Sequence, residues 1–498
     1  MNVNPITRLD YPDPDVIRVE DTYYMVSTTM HFMPGCEILQ SFDLVHWEHV
    51  TYVYETLDHT DAQQLKSGQN IYGQGMWAAS LRYHEGRFYI CFVANDTRKT
   101  YLYTSEKIDG PWKKQLIEGF YHDGSLLFDE DGRNYIVYGN DEIWITELNE
   151  DLTAPKKDGL HRLLVSDHKN PELGYEGSHI QKINGYYYIF LIHSLRDRWM
   201  RTEACFYSDS LEGEFTGGDV LCDDRGYCGQ GVAQGGIVDT PDGKWYAMLF
   251  QDSGAVGRIP ILLPVTWKDH FPFFGQNGHV PEEIEVHSTR PGYIYQPLVG
   301  SDDFCNGLLP RWQFNHDPDP RYYHLDALQG TYTITTREVC TELTQAVNTL
   351  TQRMSYPSCA AEVTVDASAL KEGDVAGLCA LQGCYAAVGI TKHHGKYEVL
   401  MLDKKEDGIL DMTEGTVVES HQMDFRLEAD FCNMKDEARC YYRVNKGDWL
   451  PIGTVHKLYF KLDHFTGCRF GLFCYAAEET GGSACFRDFK YYDVDEIS

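Results

Sequence analysis

Five segments in the first three hundred residues share one pattern, and this repetition constrains the fold more than any other feature of the chain. They read DPDVIRVEDTYYMVST from 13, AASLRYHEGRFYICFV from 78, DGSLLFDEDGRNYIVYG from 123, EGSHIQKINGYYYIFLI from 176 and QGGIVDTPDGKWYAMLF from 234. Each has a lead residue, a short strand, a turn of the ED, HEG, DEDG, NG or PDG kind, and a second strand opening on aromatic residues. The turns carry the Gly, Asn and Asp that tight hairpins require. The second strands are rich in Tyr, Phe, Val and Ile, as strands are. The lead positions lie 65, 45, 53 and 58 residues apart. Each interval holds about four short strands, one propeller blade. The pattern predicts an all-β chain that begins with a five-bladed β-propeller over residues 1–298. Almost no segment there keeps a helical apolar period.

In a propeller the innermost strand of each blade lines the central channel, so the lead residues Asp13, Ala78, Asp123, Glu176 and Gln234 should converge near its mouth. Three of the five are carboxylates. Mutual repulsion and partial burial raise the pKa of at least one member of such a group, so an acid and a base coexist at one site. Glycoside hydrolysis needs that pair, and inverting enzymes hold its members about 6.5–9.5 Å apart with a water between. Calcium competes for a cluster of oxygen ligands, but no D-x-D-x-D-G loop is present. Trp77, just before Ala78, offers a platform for a sugar face. Met30 and Phe32, in STTMHFMPG, could wall the pocket, and Arg258, after a Gly-rich turn, could donate to sugar hydroxyls or to the carboxylates. Each of these has a plain packing or salt-bridge reading beside the functional one.

From about residue 290 the repeat stops at a Pro/Gly-bearing connector, STRPGYIYQPLVGSDDF. Alternating stretches such as CAAEVTVDAS, KYEVLMLD and RFGLFCYA follow, separated by turn signals such as HHGK and NKGD. They predict a β-sandwich of the concanavalin-like jelly-roll kind over residues 299–498. It would serve either as a separate sugar-binding module or as a wall of the propeller's pocket.

The formal net charge of −32 disfavours nucleic acid and anionic membranes as partners. No stretch approaches the roughly 18 apolar residues of a membrane span. The N-terminal stretch has neither a basic nor an apolar leader region. The 15 cysteines are scattered without C-x-x-C spacing, as buried free thiols in a reducing compartment would be. Together these predict a cytoplasmic protein.

The segments NPITRLDYPDPDVIRVEDTYYMVST, FMPGCEILQSFDLVHWE, MWAASLRYHEGRFYICF, DGSLLFDEDGRNYI, YEGSHIQKINGYYYIF and GRIPILLPVTW resemble glycoside hydrolase family 43. These are five-bladed propeller enzymes that release xylose and arabinose from hemicellulose. The later region resembles the sandwich attached to the family's β-xylosidases and arabinofuranosidases, where it shortens the cleft and favours exo action on short oligosaccharides. The resemblance makes Asp13 the general base, Glu176 the general acid and Asp123 the carboxylate that tunes it. It places Trp77, Ala78, Gln234 and Arg258, with Met30 and Phe32, around the terminal sugar. It implies inversion, a xylo- or arabino-oligosaccharide substrate and no organic cofactor. Gln234 stands where many members carry a His near a central metal, which weighs against a structural calcium at the axis; Met30 stands where family xylosidases often carry Phe, which leaves xylose and arabinose both open. Homo-oligomer formation through sandwich faces is left open too. The alternative function is a carbohydrate-binding propeller without catalysis. WD signatures and the WMNDPNG motif of invertase-like propellers are missing.

Overall fold

The computed structural model describes residues 2–461 and 465–493. Five four-stranded antiparallel sheets each run in chain order from the inside outward. Their innermost strands are Asp15–Val19, Met76–His84, Ser125–Phe128, Glu176–Ile183 and Val232–Asp239. Successive inner strands touch one another, and the fifth touches the first, which closes the ring. The hairpin turns are those the repeat predicts. Asn184–Gly185 and Glu85–Gly86 both have positive φ at each central residue, the type I′ geometry that matches strand twist. Between blades lie apolar layers, such as Val26, Ile38, Leu81 and Phe92 between the first two. The N-terminus latches the ring: Asn2–Val3 pairs with Glu283–Ile284, and the Asn4 amide donates to Leu262 O and Pro281 O.

The lead residues reach the axis through backbone kinks. Asp13, Asp123 and Gln234 sit at φ of 52°, 49° and 59°, a region where Asp and Asn are enriched among non-glycine residues. Register shifts break the inner strands at Met76/Ala79, Glu176/His179 and Ala233/Gly236. Such bulges re-aim a side chain at the mouth of a sheet.

The last strand of the fifth blade, Phe271–Phe274, is followed by a connecting segment, and the sandwich opens at Gln313–Asn315. The expected division at 298/299 falls inside that segment. One sheet of the sandwich has seven strands. The other continues past Gln313–Asn315 onto Phe32–Met33 of the first blade's connection, so the two halves share a sheet. Leu378, Val388, Val363, Phe425, Leu427 and Phe486 fill the sandwich core. All 15 cysteines are free thiols. No helix among the described residues is long and apolar enough to cross a membrane.

Buried charges bind the halves together. Arg353 of the sandwich pairs with Glu37 of the first blade at 2.9 Å and donates through Nε to Asp10 O at 2.9 Å. Asp10 in turn accepts from Arg258 N of the fifth blade at 2.7 Å and from Gly467 N of the sandwich at 2.8 Å. A Cβ on Gly467 would lie 1.9 Å from Val256 O, so glycine lets this sandwich loop approach the propeller backbone.

Candidate active site

At one mouth of the channel a cavity of about 240 Å³ is lined by Asp13, Asp123, Glu176, Gln234, Trp77 and Arg258, joined by His122, Asn140, Leu173, Trp199, Arg201 and Phe465. It is smaller than the roughly 300–1,000 Å³ of sites for drug-sized ligands. Six of the sequence-derived residues thus meet at one place. Two corrections concern the first two blades. Ala78 is not among the lining residues, because the bulge at Met76/Ala79 turns Trp77 into the cavity instead. Met30 and Phe32 do not line it either. Met30 is fully buried and bridged through its backbone to Met76. Phe32 lies under the Arg469 guanidinium, 3.4 Å from its ring centre, in the joint with the sandwich. The wall expected from them is formed by Phe465, Trp199 and Leu173.

Asp13 is held on both oxygens. Arg258 Nη1 donates to Oδ1 at 2.7 Å and Thr28 Oγ1 to Oδ2 at 2.6 Å. Pro12 and Pro14 limit the backbone on either side. Arg258 also faces Asp252 at 3.3 Å, and Arg201 approaches Asp252 from the other side at 2.9 Å. Of the two roles open to Arg258, the contact made is with the carboxylates.

Asp123 accepts from Gly177 N at 3.0 Å. Burial, with the charges of Glu176 and Asp13, raises its pKa to about 6 against the pull of His122 and Gly177 N–H. Glu176 Oε2 accepts from Asn140 Nδ2 at 2.7 Å and lies 3.3 Å from His122 Nε2. Burial pushes Glu176 up, but the hydrogen bond and charge of His122, with Arg201 and Arg258, outweigh it and hold this carboxyl below the ordinary glutamate value. His122 carries the opposite shift: burial disfavours its charge, yet Asp123, Glu176 and Asp13 lift it to about 9. The carboxyl raised as expected of the cluster is therefore Asp123, and beside the lowered Glu176 lies an imidazole whose neighbours favour its charged form.

Trp77 meets Phe465 edge-to-face at 5.3 Å and His122 at 5.9 Å. The Arg258 guanidinium lies 4.3 Å from the Phe465 ring. Phe465 belongs to the sandwich, and Gly467, two residues on, is anchored by Asp10. The second domain thus supplies one wall of the cavity.

Deeper on the axis, the residues do not suit a calcium ion. The Arg82 guanidinium fills that place. It donates to Leu126 O at 2.9 Å, Leu81 O at 2.7 Å, Ile180 O at 3.2 Å and Ser125 Oγ at 2.7 Å, and pairs with Asp15 Oδ2 at 2.8 Å. His179 Nδ1 meets the other Asp15 oxygen at 3.0 Å. One fixed cation therefore joins residues of the first four blades, using the carbonyl and carboxylate oxygens that a divalent ion would need. His122, Asp123 and Glu176 also bring ligand atoms within 4.8 Å of one another.

His122, Asn140, Leu173, Trp199, Arg201 and Phe465 were not anticipated from sequence. His122 carried a signal, since it precedes lead residue Asp123 just as Trp77 precedes Ala78. Trp199 and Arg201 flank the start of the fourth blade's third strand, outside the repeated motif. Phe465 lies almost three hundred residues beyond Glu176.

The profile for glycosyl hydrolases family 43 matches residues 3–272. That for the beta xylosidase C-terminal concanavalin A-like domain matches residues 301–492. A beta-xylosidase of Formosa agariphila is 27% identical over 99% of this chain and 89% of its own length. Among solved structures, a bifunctional GH43-CE protein of Bacteroides eggerthii superposes with a TM-score of 0.93 at 42% identity; the match covers 100% of this chain and 64% of that one. An engineered GH43 glycoside hydrolase described as displaying both endo-xylanase and exo-arabinofuranosidase activity superposes with a TM-score of 0.86 at 27% identity over 99% of both chains. The catalytic-family profile spans more than half of the residues, and it falls on the five blades that carry the carboxylates: the chain belongs to glycosyl hydrolases family 43.

Proposed function

We propose that this glycoside hydrolase releases a terminal xylose or arabinose from hemicellulose-derived oligosaccharides by single-displacement inversion. The observation that carries this reading is the convergence of Asp13, Asp123 and Glu176 in one small cavity walled by Phe465. A cavity of about 240 Å³ suits one pentose ring, and a wall supplied by the second domain suits exo action on a chain end.

In this reading Asp13 is the base. Held by Arg258 and Thr28, it takes a proton from water as the oxygen attacks the anomeric carbon. Glu176 protonates the leaving oxygen, which needs such help when it departs as a sugar alcohol. Asp123 orients the acid through Gly177 and lies beside His122. Arg201 and Arg258, held by Asp252 behind the cavity, set positive charge against Asp13, Asp123 and Glu176. Trp77 and Phe465 offer apolar faces to the ring. Both pentoses are supported by the names of relatives, a beta-xylosidase and a non-reducing end alpha-L-arabinofuranosidase of Bacteroides ovatus. The free cysteines support a reducing, cytoplasmic setting, and Arg82 on the axis supports activity without a metal.

The test is kcat/KM on 4-nitrophenyl β-D-xylopyranoside and 4-nitrophenyl α-L-arabinofuranoside, with and without EDTA, beside Glu176→Ala. We expect turnover of at least one, unchanged by chelation, and a ratio that names the preferred sugar. The glutamate variant should lose far more on xylo- or arabino-oligosaccharides than on the aryl glycosides. No turnover of aryl glycosides or oligosaccharides would instead favour a binding propeller.

A further inference from the structure

His122 lies between the two carboxylates that handle the leaving-group proton. Its Nε2 is 3.3 Å from Glu176 Oε2 and 3.5 Å from Asp123 Oδ2. Its side chain is 20% exposed, and Trp77 packs against the ring edge from the second blade. Glu176 Oε2 accepts from Asn140 and lies within reach of His122 Nε2, which donates to it when the ring is an imidazolium. With these contacts on Oε2 and its pKa held below the ordinary glutamate value by the His122 hydrogen bond and charge, Glu176 is placed to receive a proton from the imidazole beside it.

We propose that His122 is a positioning residue that stores the acid's proton and passes it to Glu176 once a sugar covers the site. This rests on the glycosidase reading above. In the resting pair the imidazolium donates to the Glu176 carboxylate. A bound sugar displaces water that supports this charged arrangement, and low polarity favours the neutral imidazole–carboxylic acid pair. The His122 Nε2–H bond breaks as a Glu176 O–H bond forms. That O–H then breaks as the leaving oxygen takes the proton and the glycosidic C–O bond cleaves. Meanwhile the attacking water gives its oxygen to the anomeric carbon and a proton to Asp13. After product release Asp13 returns its proton to solvent, and solvent reprotonates His122, so protons balance over the cycle. Among the described residues, the charged and titratable groups facing the pair are Asp13 from the first blade, Asp123 from the third, Arg201 beside Glu176 on the fourth, and Arg258 from the fifth.

The sign of the pH dependence follows. The pair must hold one proton to be competent, and it loses that proton as pH rises through the pKa of His122, about 9. The basic limb of kcat/KM, which reports the free enzyme, should therefore fall near pH 9 in the wild type. In His122→Asn the nitrogen donor remains but the stored proton does not. We expect that limb to move down by at least about one pH unit. At the optimum, the loss should be about ten- to a hundredfold on a disaccharide substrate and smaller on nitrophenyl glycosides. A folded His122→Asn protein whose basic limb stays in place would overturn the proposal. Imidazole ¹⁵N NMR of the wild type decides the matter independently of the variant's folding. Imidazolium at pH 8 is expected, with a lower pKa in Glu176→Gln, and neutral imidazole at pH 8 would overturn storage. A wild type inactive on both aryl glycosides and oligosaccharides would instead remove the glycosidase reading, while the NMR result would still decide where the proton rests.

Discussion

Asp13, Asp123 and Gln234 reach the cavity by one repeated device, a left-handed residue just before a blade's inner strand or at a bulge near its start. Phe465 reaches it by no repeated device at all. It arrives on a loop of the sandwich, docked through Gly467 against Asp10 and the backbone at Val256. The contrast separates two jobs. The propeller supplies groups that move protons, each fixed by ring closure and by Arg82 on the axis. Among the described residues, the sandwich supplies an apolar face, Phe465, and no acid or base to the cavity. A symmetric frame can multiply a local geometry and set carboxylates facing one another, but it leaves its channel mouth open, and a second domain closes one side.

If that division holds, the two regions should fail differently. The largest effect belongs to the propeller. Asp13→Ala should lower kcat by about 10²–10⁴-fold, the contribution of a positioned base, with a small change in KM, read from steady-state kinetics on either aryl pentoside. A near-normal kcat would break the comparison at its stronger end. The smaller effect belongs to the sandwich. Phe465→Ala removes an apolar wall without touching a proton. It should raise KM about tenfold, the scale of burying one aromatic side chain against a ligand, and leave the pH profile in place. A loss confined to kcat, or a shifted pH limb, would mean that the sandwich takes part in the chemistry.

The same contrast explains what could be read in advance. Hairpins are local: the Asn184–Gly185 and Glu85–Gly86 turns follow from two residues each, and five copies of one local pattern give a propeller and its lead carboxylates. The register of the second blade was harder. Whether Trp77 or Ala78 faces the cavity depends on a bulge between Met76 and Ala79, which shifts the pattern by a step that a period-2 reading cannot see. Met30 and Phe32 were misplaced because the segment that carries them leaves its blade to pair with Gln313–Asn315, a contact nearly three hundred residues distant in the chain. Phe465 escaped for the same reason. His122 was legible by position but not by role, because its charge state comes from Asp13, Asp123 and Glu176, carried by three different blades.

The central claim is that Asp13 drives water onto the sugar in a single displacement while Glu176 releases the leaving group. The most direct measurement is ¹H NMR of the first-formed pentose, recorded before mutarotation. The account predicts the inverted anomer, α-xylose from a β-xyloside or β-arabinose from an α-arabinofuranoside. Initial release of the retained anomer would contradict it and point to a covalent glycosyl intermediate.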